Sequence, residues 1–301
     1  MKLQKIISEQ DGLSLELAII EPKQSPIGII QFSHGMAEHK ERYFEFMEFL
    51  ANQGYICVIH DHRGHGASVK NEGDLGYFYT ENSNYIVEDL YQITKYIKNK
   101  YPNLDIYLFS HSMGTLVARN YLKKYDKMIK KVVLCGPPTK NYLAPIGVSI
   151  GKTFSLVLGD KYRSKLLDYM TFHKYYHKND TKTAWINSNE NSLLKYEQDP
   201  LCGYVFTNNG MIQLYKLMEN SFDKKNWQVN NPDLKIYVIA GSDDPVIQSE
   251  KKFMSLIKFL RGFGYKVNYK IYPQKRHELL GETENEKIYQ DILNFYKEGE
   301  K

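Results

Sequence analysis

The sequence predicts an α/β fold: a mostly parallel central sheet flanked by helices, with a helical insertion. Three observations predict it. Short apolar runs alternate with longer amphipathic segments up to residue 138 and again from 231 to 301. Strands such as "YICVIHD" are apolar over most of their length, as strands buried in a sheet are. From 139 to 230 the alternation lapses into helix-like, aromatic-rich sequence with no clear strand. Repeated strand–helix units imply a parallel sheet covered on both faces. The expected organisation is a core of 1–138 and 231–301, with 139–230 lying over the strand ends as a lid.

In chain order, "LSLELAII" and "IGIIQFSH" read as strands, and "ERYFEFMEFLANQG" as a helix that stops at Gly54. After "YICVIHD" comes "NYIVEDLYQITKYIKNKY", which sets Ile86, Leu90, Ile93 and Ile97 on one helical face. "LDIYLFS" is a strand, "GTLVARNYLKKY" a helix and "KKVVLCGP" a strand. Beyond the insertion follow the strand "LKIYVIAG", the helix "SEKKFMSLIKFLRGFG", the strand "VNYKIYP" and a last helix, "ENEKIYQDILNFYKEG". There is no internal repeat.

The 301 residues are 42% hydrophobic and 25% charged, enough for a large core. A formal charge of +5 spread along the chain argues against nucleic acid as a partner. Cys57 and Cys135 sit in apolar runs and Cys202 is distant from both, a pattern of buried thiols more than of disulfides or metal ligands. The N-terminus lacks the apolar core of a signal peptide. The most apolar later stretch, 142–159, is broken by Pro145, glycines and Lys152 and makes a poor membrane span. The expected location is cytoplasmic, with peripheral contact at a membrane as an extension.

The candidate chemistry centres on "DIYLFSHSMGTLVARNYL". Parallel sheets carry functional residues at the carboxyl ends of their strands, and Ser112 falls there. A sharp strand-to-helix turn pushes a nucleophile out over the sheet and demands small residues two before and two after it. For Ser112 these are Ser110 and Gly114; for Ser110 they would be Leu108 and Ser112, and leucine would clash. A serine hydroxyl needs a base, and the base an orienting carboxylate. The histidines after Ser112 are His173, His177 and His277; the first two fall in the insertion, and His277 follows the last strand. Asp243 and Asp244 follow the penultimate strand in "GSDDPV", and either could serve as the acid. An oxyanion needs backbone donors: the Met113 N–H at a helix start and the Met36 N–H after the turn at His34-Gly35.

With these residues assembled, the chain resembles the monoacylglycerol lipase and lysophospholipase branch of the α/β-hydrolases. The motifs that carry the likeness are "HGMAEHKERY" (34–43), "DHRGHGAS" (61–68), "SHSMG" (110–114), "GSDDPV" (241–246) and "RHELLGE" (276–282), in the family's order. The resemblance implies an α/β-hydrolase fold with a catalytic Ser112–His277–Asp244 triad, a Met36/Met113 oxyanion hole and a cap over roughly 139–230. Two features depart from the pattern: Ser110 in place of glycine, and Met36-Ala37 where a glycine often takes the second position.

Competing readings are weaker. "HDHRGH" (60–65) has metal-like histidine spacing but fits a turn leaving a strand, with Asp61 and Arg63 as a structural pair. "GVSIGKT" (147–153) has three residues between its glycines where a phosphate loop needs four. No cofactor is indicated. Trp185 and Trp227 are expected to pack or to sit on the surface of the insertion.

The segment "IGVSIGKTFSLVLG" is apolar around most of a helix. It either packs against the rest of the insertion or lines an acyl tunnel and touches a membrane, aided by Lys152, Lys161, Arg163 and Lys165. The expected function is a serine carboxylic-ester hydrolase that removes an acyl chain from monoacylglycerols or lysophospholipids, with a lipid or small ester as its partner. The alternatives are a prolyl iminopeptidase-like aminopeptidase, with Glu190, Glu197 or Asp199 holding the substrate ammonium, and a non-catalytic ligand-binding relative.

Overall fold

The computed structural model of the chain describes residues 1–175 and 181–299; His177 lies outside them. The strands are β1 (Lys2–Ile7), β2 (Ser14–Ile20), β3 (Gly28–Ser33), β4 (Tyr55–His60), β5 (Ile106–His111), β6 (Lys131–Cys135), β7 (Lys235–Gly241) and β8 (Lys266–Tyr272). They form one sheet in the order β1-β2-β4-β3-β5-β6-β7-β8. From β4 to β8 the neighbours run parallel, while β2 is antiparallel to β4 and β1 to β2. The sheet is therefore mixed but mostly parallel, as the alternation predicts.

β1 is the strand that the sequence reading lacks. It is an edge strand whose residues are exposed or half-buried throughout, with Lys2, Gln4 and Lys5 among its six residues. Without a buried face it leaves no apolar run; pairing with β2 holds it, helped by α2, where Gln92 donates to the Ile7 carbonyl at 2.7 Å and the Tyr96 hydroxyl to Gln4.

Helices α1 (Phe44–Asn52) and α9 (Asn285–Lys297) cover one face of the sheet; α2 (Tyr85–Lys100), α3 (Met113–Tyr125) and α8 (Glu250–Arg261) cover the other. β5 shows how the two faces are supplied. Ile106 and Leu108 join the core with α2 and α3, while Tyr107 and Phe109 join the core with α1 and α9. That is the two-residue period of a strand with both faces buried. The expected face of α2 is buried: Ile86, Leu90, Ile93 and Ile97 are all fully inaccessible.

Among the described residues, four helices lie between β6 and β7: α4 (Ala144–Leu158), α5 (Lys165–Phe172), α6 (Glu190–Gln198) and α7 (Asn208–Asn220). The stretch that mimics a phosphate loop lies inside α4. Its glycines are one turn apart because α7 comes close there: a Cβ on Gly147 would stand 2.7 Å from Tyr215, and one on Gly151 2.7 Å from Ile212. α4 thus packs against α7, as one of the two sequence readings has it. Its other face stays open, with Leu156 88% and Val157 74% exposed. Among the described residues no helix is long and apolar enough to cross a membrane.

Candidate active site

Strand β5 delivers Ser112 at its carboxyl end, where the sheet's crossover geometry opens a crevice. Ser112 has φ 50° and ψ −118°, a left-handed conformation that non-glycine residues adopt only when the surroundings enforce it. The enforcement is visible: the Ser112 N–H donates to the Cys135 carbonyl at 3.0 Å, and α3 begins at the next residue. Close packing makes glycine necessary at 114, where a Cβ would lie 2.1 Å from the Ser33 carbonyl oxygen. Ser110 fits where glycine is usual because its hydroxyl is used within the sheet, donating to the Val133 carbonyl at 2.9 Å.

Three side chains from distant parts of the chain meet here. His277 Nε2 lies 2.8 Å from Ser112 Oγ, and its Nδ1 lies 2.9 Å from Asp244 Oδ2. The adjacent Asp243 is turned away and accepts from the Ser242 hydroxyl at 2.7 Å. Asp244 has a second duty, receiving the Val246 N–H through Oδ1 at 2.8 Å, which fixes the carboxylate for the imidazole. Burial alone would lower the pKa of His277. The Asp244 carboxylate opposes it, Glu278 and Glu38 add to the effect, and together they make the net shift upward. His173 is remote from this chemistry: it is exposed, with Nδ1 2.7 Å from the Tyr169 carbonyl.

The loop after β3 packs directly on the elbow. A Cβ on Gly35 would come within 3.2 Å of Ser112 Cβ and would run into Glu38. Met36 and Met113 line the same cavity as Ser112 and His277. Ala37 occupies φ 51°, which accounts for the glycine often found there in the resembling family. Its carbonyl accepts the Gly203 N–H at 2.9 Å, so the insertion helps to hold the strained turn.

Beneath the loop lies an ionic network that the sequence reading did not single out. Glu38 accepts from the Gly35 N–H and from the Tyr43 hydroxyl, and its other oxygen stands 3.4 Å from Arg42. Arg42 also donates to Glu278 at 2.7 Å, beside the histidine. Burial penalises the guanidinium, but Glu278 and Glu38 more than offset this and raise its pKa. Glu38 and Arg42 are four residues apart inside "HGMAEHKERY", and their spacing was the available signal.

The family model described as Hydrolase_4, serine aminopeptidase, S33, matches residues 24–284. The chain belongs to this family of α/β-hydrolases. It is 23% identical over 286 residues to a monoacylglycerol lipase of Mycolicibacterium smegmatis, covering 94% of this chain and 93% of that one. Among solved structures it superposes on a thermostable carboxyl esterase from Bacillus coagulans with a TM-score of 0.88, at 23% identity over 98% of this chain and 97% of that one. A monoglyceride lipase from Saccharomyces cerevisiae gives 0.73 at 19% identity, over 99% and 94%. By family and fold the protein is a serine hydrolase of the lipase and esterase kind.

The hydrolase's cavity holds about 370 Å³. Leu116, Phe172, Val205, Leu214 and Met218 are among its apolar lining residues; Asp168, Lys182 and Thr183 are polar groups on its wall. No residue of α4 lines it, which corrects the expectation that α4 forms the wall of an acyl tunnel: α4 packs against α7, and α5, α7 and the 182–186 and 203–205 segments contribute to the wall instead. Trp185 also lines the cavity, and its ring centroid is 5.3 Å from that of His277. Trp227 packs away from the site, stacked on Phe263 at 4.1 Å.

Two further expectations need correction. Asp61 and Arg63 do not pair with each other. Asp61 binds Lys40 at 2.8 Å and the Ala67 N–H at 2.9 Å, while Arg63 binds Asp89 at 2.7 Å and Asp11 at 2.8 Å. Both are fully buried, and each draws its counter-charge from another part of the chain, which sequence proximity does not reveal. The histidines of 60–65 are buried within the core, where His62 and His65 each have a partner of their own and neither ring nitrogen of His60 has a hydrogen-bond partner among the described residues. His62 Nε2 is 2.9 Å from Ser33 Oγ and His65 Nδ1 is 3.0 Å from the Arg63 carbonyl. Burial pushes the pKa values of His60 and His65 down to about 4.

Proposed function

We propose that this hydrolase cleaves one acyl chain from monoacylglycerols or lysophospholipids through an acyl-enzyme. The observation that carries the reading is the hydrogen-bonded run from Asp244 through His277 to Ser112, which opens onto a cavity lined largely by apolar and aromatic side chains. In the proposed reaction His277 Nε2 takes the proton from Ser112 Oγ as the oxygen bonds to the ester carbonyl carbon. The developing oxyanion sits against the N–H groups of Met36 and Met113. The imidazolium gives its proton to the departing alcohol, and water repeats the sequence to release the fatty acid. Each buried methylene contributes ~0.8 kcal/mol, so the acyl chain dominates binding. The names of the lipase relatives support this substrate class.

Residues 139–230 act in this reading as a cap, and the open face of α4 meets the lipid surface. Of the four cations expected to help, two are engaged elsewhere: Lys161 pairs with Asp74 at 2.6 Å, and Arg163 donates to the Val205 and Gly73 carbonyls. Apolar contact is therefore the main attraction. The aminopeptidase reading keeps a place because of the family description, but Glu190, Glu197 and Asp199 do not line the cavity; Asp168 is the carboxylate in the insertion that does.

A fluorophosphonate probe should label the wild type and leave Ser112→Ala unlabelled. A p-nitrophenyl ester chain-length series set beside a proline anilide should favour medium or long acyl esters. Faster turnover of the anilide would replace the lipid reading with the peptidase one.

A further inference from the structure

The insertion is stitched to the loop that carries His277. The Glu278 N–H donates to the Ile186 carbonyl at 2.8 Å, and Asn187 Nδ2 donates to the Glu278 carbonyl at 3.2 Å. Asn189 Nδ2 donates to the Gly281 carbonyl at 3.0 Å, and the Arg276 guanidinium donates to the Ala184 carbonyl. On the far side Glu282 accepts from both the Arg276 N–H and the Ser188 hydroxyl. This clasp of 184–189 on 276–282 holds one side chain against the imidazole. Trp185 lies at 42° to the His277 ring with centroids 5.3 Å apart, and Tyr175 backs it at 5.1 Å. Trp185 also lines a second cavity of about 470 Å³ beside Asp244, so its side chain borders both that space and the catalytic one.

We propose that Trp185 is a positioning residue for His277: its indole braces the imidazole from the side of the insertion and favours the imidazolium that forms during acyl transfer. The inference rests on the serine-hydrolase reading of Ser112 and His277. A cation within about 6 Å of an indole is attracted by the ring's negative face, most strongly where water is excluded. The ring acts among other charges. Asp244, Glu278 and Glu38 favour the imidazolium, while His111, whose ring is 4.8 Å from His277, would oppose it if charged. Burial together with His277 keeps His111 well below the ordinary histidine range, so it stays neutral.

The test is the pH dependence of the rate at which a fluorophosphonate labels Ser112, which needs neutral His277 and no knowledge of the substrate. In Trp185→Leu the midpoint of the acidic limb should fall by between about 0.4 and about 1.5 pH units, and Trp185→Phe should recover most of the difference. The chain has two tryptophans, so fluorinated tryptophan incorporated in a Trp227→Phe background reports on Trp185 alone. Each added fluorine weakens the ring's negative face without changing its shape, and the midpoint should fall stepwise; this series decides the matter where Trp185→Leu does not fold. A midpoint unmoved by leucine or by fluorination overturns the role of Trp185 while leaving the hydrolase reading intact. A wild type that does not label at any pH removes the hydrolase reading itself.

Discussion

Two parts of the same insertion treat the core differently. Residues 184–205 are tied into it: Ile186 and Asn187 bond to the histidine loop and Gly203 to the Ala37 carbonyl. Helices α4 and α5 instead hold to the rest largely through α7 and expose Ile146, Leu156, Val157, Leu166 and Tyr169. One insertion therefore does two jobs. The tied part fixes catalytic geometry, and the open part offers apolar surface whose loss need not disturb that geometry. Changes in the first should damage turnover with any ester, and changes at the exposed side chains of α4 should damage only the approach to lipid, whereas α5 also walls the cavity through Asp168, Thr171 and Phe172.

The largest effect is expected from Glu282→Ala. This carboxylate is 1% exposed and accepts from Arg276 and Ser188 across the junction. Its removal strands a buried N–H at a cost of about 1–3 kcal/mol and loosens the base. Turnover of a short p-nitrophenyl ester should fall by roughly 10²-fold, in line with what a misplaced catalytic group costs. A variant with unchanged kcat would show that the clasp is only structural. Next in size, Leu156→Ser with Val157→Ser should weaken partition onto lipid vesicles by about tenfold or more, since burying one such side chain contributes about 1.5–3 kcal/mol. Short soluble esters should be hydrolysed as before. Unchanged vesicle binding would sink the membrane role of α4.

A smaller change concerns pH. Burial alone would lower the pKa of His277, but Asp244, with Glu278 and Glu38, raises it in the folded protein. The base works as neutral imidazole, so kcat/KM should decline as pH falls, with a midpoint above the ordinary histidine value. For stability the sign is opposite in pH. The pair's contribution is complete below the unfolded pKa and is lost as pH rises through the folded one. Asp244→Asn should move the midpoint of the kinetic limb downward; an unmoved midpoint would assign the limb to another group.

Much of this was legible in the sequence, and the exceptions share a cause. The strands β2 to β8, the elbow at Ser112 and the loops bearing Asp244 and His277 leave local marks: an apolar run, small flanking residues, a turn after a strand. β1 leaves none because both its faces meet solvent. The partners of Asp61 and Arg63 depend on which buried charges the fold brings together, and short-range spacing carries no record of that. Trp185 is likewise silent in sequence: its contact with His277 spans 92 positions (185 to 277) and exists only through the clasp. The glycines of α4 did leave a mark, but it resembled a phosphate loop more than a helix crossing.

The smallest predicted effect tests whether the tied part of the insertion also steadies the oxyanion loop. Ala37 sits at φ 51°, where an L-residue is disfavoured by roughly 1–2 kcal/mol and glycine is not. Glycine also has more unfolded freedom to lose, about 0.4–1 kcal/mol, which opposes the gain. Ala37→Gly should therefore raise stability by between about 0 and about 1.6 kcal/mol, read as a small rise in Tm. The catalytic consequence runs the other way. If the Gly203 N–H and the packed elbow over-determine the turn, kcat for a short ester should stay within about twofold of wild type, because one contact from the insertion holds what the side chain strains. A fall of tenfold or more would mean that the alanine methyl, and not the insertion, fixes the direction of the Met36 N–H. The junction would then end at the histidine loop, and the division between tied and open parts would have to be redrawn there.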